Sequence, residues 1–296
     1  MTQLYNCCTL SDYNYILKGL VLYDSLEKNT KEDFTLYYLC LDDKTFETLT
    51  ELELKYLIPI NLKEIEYNSP KLQFIKQVIS YREYCFLLSS YFTWYILKNY
   101  DIEGCLYIDS DIVFYRSLKR VFDTVKDKSI GFISHRHLPF GCIQGYFNVG
   151  IVYFSGDVGL HAVNFWKDLM LDPGNKYSQE YGTTGDQKYL ELLYKSYEKD
   201  VRIIDEDGIG YSAPYNLDLY DYSKFDIENK EIIWKGNSEN LVFCHFIKFH
   251  PDFNNNIYRG VETQQEWNKL SQIKEVKQMY DEYFEYNKEI YKRYLE

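Results

Sequence analysis

Between residues 4 and 66, short apolar runs alternate with stretches of helical periodicity, and that order leaves few folds open. Residues 4–9 read as a buried first strand. Ser11 and Asp12 then cap a helix whose apolar positions Ile16, Leu20, Leu22, Tyr23 and Leu26 recur at helical spacing. Residues 34–41 form a second strand, Asp42 caps a helix over 45–56, and residues 62–66 supply a third strand. Strand, helix, strand, helix, strand is the order of a mostly parallel, doubly wound α/β sheet. Ligands of such sheets bind beyond the carboxyl ends of the strands.

The segment 104–115, GCLYIDSDIVFY, sets two carboxylates, Asp109 and Asp111, between apolar runs. Residues two apart in a strand share a face, so a strand through this segment aims both at one ligand. Two anions a few ångströms apart repel and lose hydration on burial. A cation therefore belongs between them, or one stays protonated. A hard divalent ion, Mg²⁺ or Mn²⁺, shared with a substrate diphosphate satisfies both carboxylates. A solvated turn is the duller reading, and the apolar flanks weigh against it.

Further along, residues 81–100 carry the spacing of a core helix leading into the Asp109 strand. Ser117 starts a short helix and residues 130–134 form a strand. His135, Arg136 and His137 follow in a loop where they could meet an anion, solvated loop residues being the commoner case. Residues 145–156 are an apolar strand in which Asn148 is the lone polar member before Ser155, and a buried amide needs a ligand hydroxyl or a backbone carbonyl. A helix over 157–170 and a loop over 172–184 lead to Gly185-Asp186-Gln187 at the head of a helix, where Asp186 reads as a cap. Residues 201–205 are a strand and 207–240 a long loop. Residues 241–249 are a strand in which His245 reads, on local grounds, as a core histidine. Residues 262–296 form one long helix of mixed charge, suited to packing on the main domain or to self-association. Beyond strand one, Asp12, Asn14 and Tyr15 are candidates for a nucleotide base and ribose. No G-x-G-x-x-G or P-loop follows that strand, so neither of those phosphate modes applies.

With 296 residues the chain makes one large domain or one domain with an elaborated end. A net charge of −12 spread along the chain leaves no basic face for nucleic acid. The 32 tyrosines suit groove lining and interfaces, although biased composition produces them equally well. Seven scattered cysteines, never spaced C-x-x-C, read as reduced core residues. No leader and no run long enough to span a membrane is visible, so the expected location is cytoplasmic.

Five motifs stand in one order: TLSDYNY at 9–15, LYIDSDIVFY at 106–115, YFNVGIVYFS at 146–155, GDQ at 185–187 and HFIKFHP at 245–251. Together, over about residues 7–251, they resemble GT-A glycosyltransferases of the family eight type, the group that includes glycogenin and bacterial lipopolysaccharide sugar transferases. The resemblance implies a Rossmann-like GT-A domain over 1–260 and a helical extension over 261–296. It implies Mn²⁺ or Mg²⁺ held by Asp109, Asp111 and His245. Thr9, Asp12, Asn14, Tyr15 and Ser110 would line the nucleotide pocket, Asn148 would touch the donor sugar, and Asp186 and Gln187 would flank the anomeric carbon and acceptor. The implied reaction is sugar transfer with retention from a nucleotide-diphosphate sugar, UDP-sugar being the expected donor, to a glycan or glycolipid acceptor in cell-surface polysaccharide synthesis. Contact with the inner face of the membrane and self-association through the C-terminal helix go with that reading.

Two departures stand out. Lys248 occupies a position where the family has Gly, and His250 lies near the family's diphosphate-gripping Lys, so either residue could meet the diphosphate. The basic residue expected on the helix before Asp109 is missing near Phe92 and Thr93, with Arg82 at a different spacing. The alternatives are a catalytically silent nucleotide-sugar binder and another GT-A-like enzyme, either an inverting transferase or a nucleotidyltransferase.

Overall fold

A computed structural model describes residues 4–136, 140–142, 145–177, 185–207, 209–212, 226, 228–234, 236–261 and 263–296. The chain divides into two compact units, one of Met1–Tyr13, Glu32–Asp109 and Val121–Ile204, the other of Asn14–Lys31, Ser110–Arg120 and Asp205–Glu296. The strands are β1 (Tyr5–Ser11), β2 (Phe34–Cys40), β3 (Leu57–Asn61), β4 (Gly104–Ile108), β5 (Ile112–Phe114), β6 (Ile130–Ser134), β7 (Phe147–Ser155), β8 (Val201–Ile203), β9 (Ile209–Ser212), β10 (Glu231–Trp234), β11 (Asn237–His245), β12 (His250–Asp252) and β13 (Ile257–Arg259). The helices are α1 (Ile16–Asn29), α2 (Asp43–Glu51), α3 (Leu62–Tyr67), α4 (Pro70–Ile75), α5 (Tyr81–Asn99), α6 (Lys119–Val125), α7 (Gly156–Met170), α8 (Tyr189–Tyr197), α9 (Gln264–Leu270) and α10 (Lys274–Tyr294).

The first unit is built on a sheet of order β3-β2-β1-β4-β7-β6-β8. Strands β3, β2, β1 and β4 run parallel, β7 runs antiparallel to both its neighbours, and β8 returns parallel to β6. This is the mostly parallel α/β sheet that the sequence predicts. Its strands read as continuous apolar runs because both faces are covered. On one face Cys8, Tyr107 and Phe154 are buried with Leu88 and Phe92 of α5 and Trp166 of α7. On the other, Tyr5 stacks on Phe122 at 4.5 Å and Phe122 meets Tyr153 edge-on at 5.5 Å. Helix α5 starts where Ser80 and Glu83 close a capping box, an arrangement that stabilises a helix end by about 1 kcal/mol.

Strand β7 changes phase within itself. Phe147 and Val149 join the core cluster before the change, and Val152 and Phe154 join it after. The pairing with β6 correspondingly jumps from Phe132↔Val152 to Ile133↔Asn148. Such a bulge re-aims side chains, and here it leaves Asn148 buried beside the end of β4.

The second unit holds a sheet of order β10-β11-β5 with β9 paired to β11, the β12–β13 hairpin, α1 and the C-terminal helices. Tyr283 of α10 stacks on Phe246 with ring centroids 3.8 Å apart, so the C-terminal helix packs directly behind the end of β11.

Several sequence expectations need correction. The third strand is Leu57–Asn61, and 62–66 belong to α3, which Asn61 caps by accepting the Lys63 N–H. Pro59 hides this strand in the sequence, yet β3 is an edge strand, where proline is tolerated. Helix α1 begins at Ile16 with Tyr15 at its N-cap, not Ser11 or Asp12. The segment 104–115 is not one strand: β4 ends at Ile108, a turn carries Asp109–Asp111, and β5 joins the other sheet. The C-terminal helix is two, because Trp267 and Tyr280 meet at 5.0 Å. In an unbroken helix, residues so far apart in sequence would be separated by roughly 20 Å. Part of 207–240 is strand rather than loop (β9, β10 and the start of β11), while 213–225 lie outside the described residues, as do 137–139 and 178–184. Cys7, Cys8, Cys40, Cys105 and Cys244 are buried as the core reading expects, while Cys85 and Cys142 are only partly buried. No helix among the described residues is long and apolar enough to cross a membrane.

Candidate functional site

Strand β4 delivers Asp109 at its carboxyl end, and two hydrogen bonds orient it there. Its N–H donates to the Gly150 carbonyl at 2.9 Å, and the Tyr107 hydroxyl donates to its Oδ1 at 2.9 Å. Asn148 organises the same spot. Its Oδ1 accepts the Gly150 N–H at 2.7 Å, and its Nδ2 faces Nε2 of His135 at 3.2 Å. Nε2 of His135 is then the acceptor, and Nδ1–H donates to the Gly145 carbonyl at 3.0 Å. His135 is therefore buried and bonded, against its reading as a solvated loop residue.

Asp186 is also no cap. Helix α8 begins at Tyr189 with Lys188 at its N-cap, while Asp186 is buried and accepts the Ser89 hydroxyl at 2.9 Å. Burial, and then the charge of Asp109, push its carboxyl up to about 7, with Ser89 pulling the other way. Gln187 beside it is half-buried. Lys188 and Glu191 form a buried pair at 2.9 Å, and Glu191 takes the N–H groups of Gly141 and Tyr146, tying the approach to β7 onto α8. Asp12 accepts the Tyr81 hydroxyl at 3.0 Å. Thr9 is wholly buried, its hydroxyl without a partner among the described residues.

In the second unit, Ile112 of β5 stands opposite His245 of β11, and the Phe246 N–H donates to the Asp111 carbonyl at 2.9 Å. That ladder brings His245 Nε2 to 2.8 Å from Asp111 Oδ1. Lys18 of α1 lies 3.8 Å from Asp111 Oδ2. Burial alone would raise the Asp111 carboxyl, but the charge and hydrogen bond of His245 and the charge of Lys18 outweigh it and hold it at about 2. Burial lowers the Lys18 ammonium, with Asp111 opposing. Lys18 is the residue that sequence reasoning passed over, and the signal was a lone cation inside the apolar helix segment ILKGL. Asn14 and Tyr15 are exposed, Ser110 is buried, and Lys248 and His250 are exposed. Lys248 has φ 60°, the left-handed conformation that favours glycine. His250 is held below its usual value by the partial burial of its ring and then by the charges of Arg259, Lys18 and Lys248.

One residue separates Asp109 from Asp111, so their closeness belongs to the turn itself. Asp109, Asp111 and His245 each offer one ligand atom, and these atoms lie within 4.8 Å of one another. Two carboxylate oxygens from a short turn and an imidazole nitrogen from the end of β11 suit a divalent ion that keeps open positions for a further oxygen ligand.

No protein-family model matches the chain. The uncharacterized protein YfnF of Bacillus subtilis (strain 168) is 26% identical over 262 residues, covering 83% of this chain and 81% of its own. Among solved structures, mouse xyloside xylosyltransferase 1 superposes with a TM-score of 0.54 at 15% identity, over 83% of this chain and 98% of that one. The galactosyltransferase LgtC, in complex with donor and acceptor sugar analogs, gives a TM-score of 0.51 at 15% identity, over 82% and 87%. The fold of this chain, a mostly parallel sheet in a mixed α/β architecture with a helical C-terminus, is that of the GT-A glycosyltransferases.

Proposed function

We propose that the protein is a glycosyltransferase of the family eight type, moving a sugar from a UDP-sugar to a glycan or glycolipid acceptor with retention at the anomeric carbon. The observation that carries this reading is the convergence of Asp109, Asp111 and His245 within 4.8 Å on a GT-A fold. Those three residues would hold Mn²⁺ or Mg²⁺, which when bound offsets the charge left on the departing diphosphate. The chain's own residues do the rest. Asp12, Asn14 and Tyr15 hold the nucleoside, with Thr9 and Ser110 shaping the pocket wall. Asn148 acts near the donor sugar and also fixes Gly150, which holds Asp109. Asp186 and Gln187 flank the anomeric carbon, where the neutral Gln187 amide stabilises an oxocarbenium-like state. Lys248 or His250 adds positive charge at the diphosphate. Residues 1–260 are the catalytic domain in this reading and 261–296 its helical extension. A cytoplasmic enzyme acting on surface-polysaccharide precursors at the inner face of the membrane, self-associating through that extension, completes it.

A second reading has one observation behind it: a carboxyl pushed up to about 7, as at Asp186, has the affinity of a general base, which an inverting transferase requires. The test of both is incubation with a panel of nucleotide sugars in Mn²⁺ or in EDTA, following nucleoside diphosphate release and the product anomer. The proposal expects Mn²⁺-dependent release from a UDP-sugar, a retained anomer, and loss of at least about 100-fold in rate for Asp111→Ala. Equal release in EDTA overturns the metal role, an inverted anomer selects the second reading, and nucleotide binding without any release marks a silent binder.

A further inference from the structure

We propose that Lys18 is a shared counter-ion of this site, neutralising Asp111 while no metal is bound and gripping the donor diphosphate once Asp111 ligates the metal. The inference rests on the donor-and-metal reading above and adds the residue that takes the diphosphate.

Lys18 is 8% exposed, and an ammonium so placed needs charged or polar partners. Among the described residues it has two of unequal kind. Asp111 Oδ2 lies at 3.8 Å, too long for a hydrogen bond, and the Tyr15 ring lies 4.3 Å beneath the ammonium. Lys18 thus stands between the ring suited to a nucleotide base and the carboxylate suited to a metal. A diphosphate joining a base on Tyr15 to a metal on Asp111 must run past that ammonium.

The loose contact with Asp111 has a physical reason. The same carboxylate already accepts His245 at 2.8 Å, so Lys18 is its second cation and is held by charge alone. A divalent ion on Asp111 inverts the local field, repelling the ammonium and leaving it in need of an anion. Further positive groups belong to the same unit. His250 pairs across the β12–β13 ladder with Arg259, and the charges of Arg259, Lys18 and Lys248 all bear on its imidazole. An ammonium held beside a carboxylate that can take a metal suits a polyanion bridged by that metal.

The experiment is calorimetric titration of the full-length protein and of Lys18→Met with MnCl₂ alone, then with UDP in saturating Mn²⁺. Lys18→Gln is run in parallel, so that a folding defect peculiar to the apolar variant does not decide the result. Removing the competing cation is expected to tighten Mn²⁺ binding several-fold in the absence of nucleotide. Removing the diphosphate partner is expected to weaken UDP about tenfold or more. Opposite signs in the two titrations are a signature that general loss of structure does not produce. UDP affinity within twofold of wild type in both variants, or weaker Mn²⁺ binding in both, overturns the role of Lys18 alone. Wild-type protein that binds neither Mn²⁺ nor UDP overturns the donor-and-metal reading itself, and this inference with it.

Discussion

The side-chain amide of Asn148 meets Nε2 of His135 at 3.2 Å inside the first unit. The other end of that amide holds the Gly150 N–H, and the Gly150 carbonyl holds the N–H of Asp109. His135 and Asn148 therefore act on Asp109 as one unit through the backbone of β7. A double-mutant cycle with His135→Leu and Asn148→Ala, read by urea unfolding, is expected to show coupling of about 1 kcal/mol or more. Additive effects would mean that the two side chains do not cooperate.

Asp186 makes stability fall as pH rises. Its folded carboxyl titrates near 7 against an ordinary 3.8, so between those values the folded chain binds a proton that the unfolded chain releases. The resulting penalty is absent below the lower value and complete above the higher. Asp186→Asn keeps an acceptor for Ser89 and removes the charge. In EDTA, the variant should exceed wild type in stability at pH 8 by up to about 4 kcal/mol, with the gap closing toward pH 4. A gap that does not change over that range would show that Asp186 is ionised in the folded protein throughout.

Lys248 keeps a glycine-like backbone with a charged side chain, a conformation that costs a non-glycine residue about 1 kcal/mol. Strain of this kind persists where the side chain has a task. Lys248→Gly should hold or raise the melting temperature while weakening UDP binding in Mn²⁺. Unchanged UDP affinity would remove Lys248 from the diphosphate site.

The C-terminal helix is anchored by a buried carboxylate. Asp24 of α1 is 1% exposed and accepts from Tyr286 and Arg293 of α10, with Lys28 at 2.8 Å. Asp24→Ala takes the acceptor from the Tyr286 hydroxyl, while the part-exposed Arg293 and Lys28 turn to water, and should destabilise the protein by about 1–3 kcal/mol in urea unfolding. A loss below about 1 kcal/mol would show that α10 is held by its aromatic contacts alone, such as Tyr283 on Phe246.

The parallel sheet was legible in the sequence because strands buried on both faces are apolar throughout, and β1, β2, β4 and β7 all carry that mark. What the sequence concealed was set by contacts distant in the chain. Nothing local to Ile273 announces that Trp267 must turn back to meet Tyr280. Asp109 and Asp111 stood out by their apolar flanks, but the turn between them became visible only once β5 was seen to pair with β11. The burial of Asp186 depends on Ser89, far away in α5, so its local pattern looked like a helix cap. Lys18 was hidden for the opposite reason: a lysine in an amphipathic helix is ordinarily exposed, and here the site around Asp111 draws it inward.

The central claim is that Asp109, Asp111 and His245 share one divalent ion with the donor diphosphate. Anomalous diffraction from crystals grown with MnCl₂ and UDP tests it most directly. The account predicts a single strong manganese peak within coordination reach of all three side chains and of a diphosphate oxygen. A manganese peak elsewhere, or a bound UDP whose diphosphate lies apart from Asp111 with no ion between them, would contradict it.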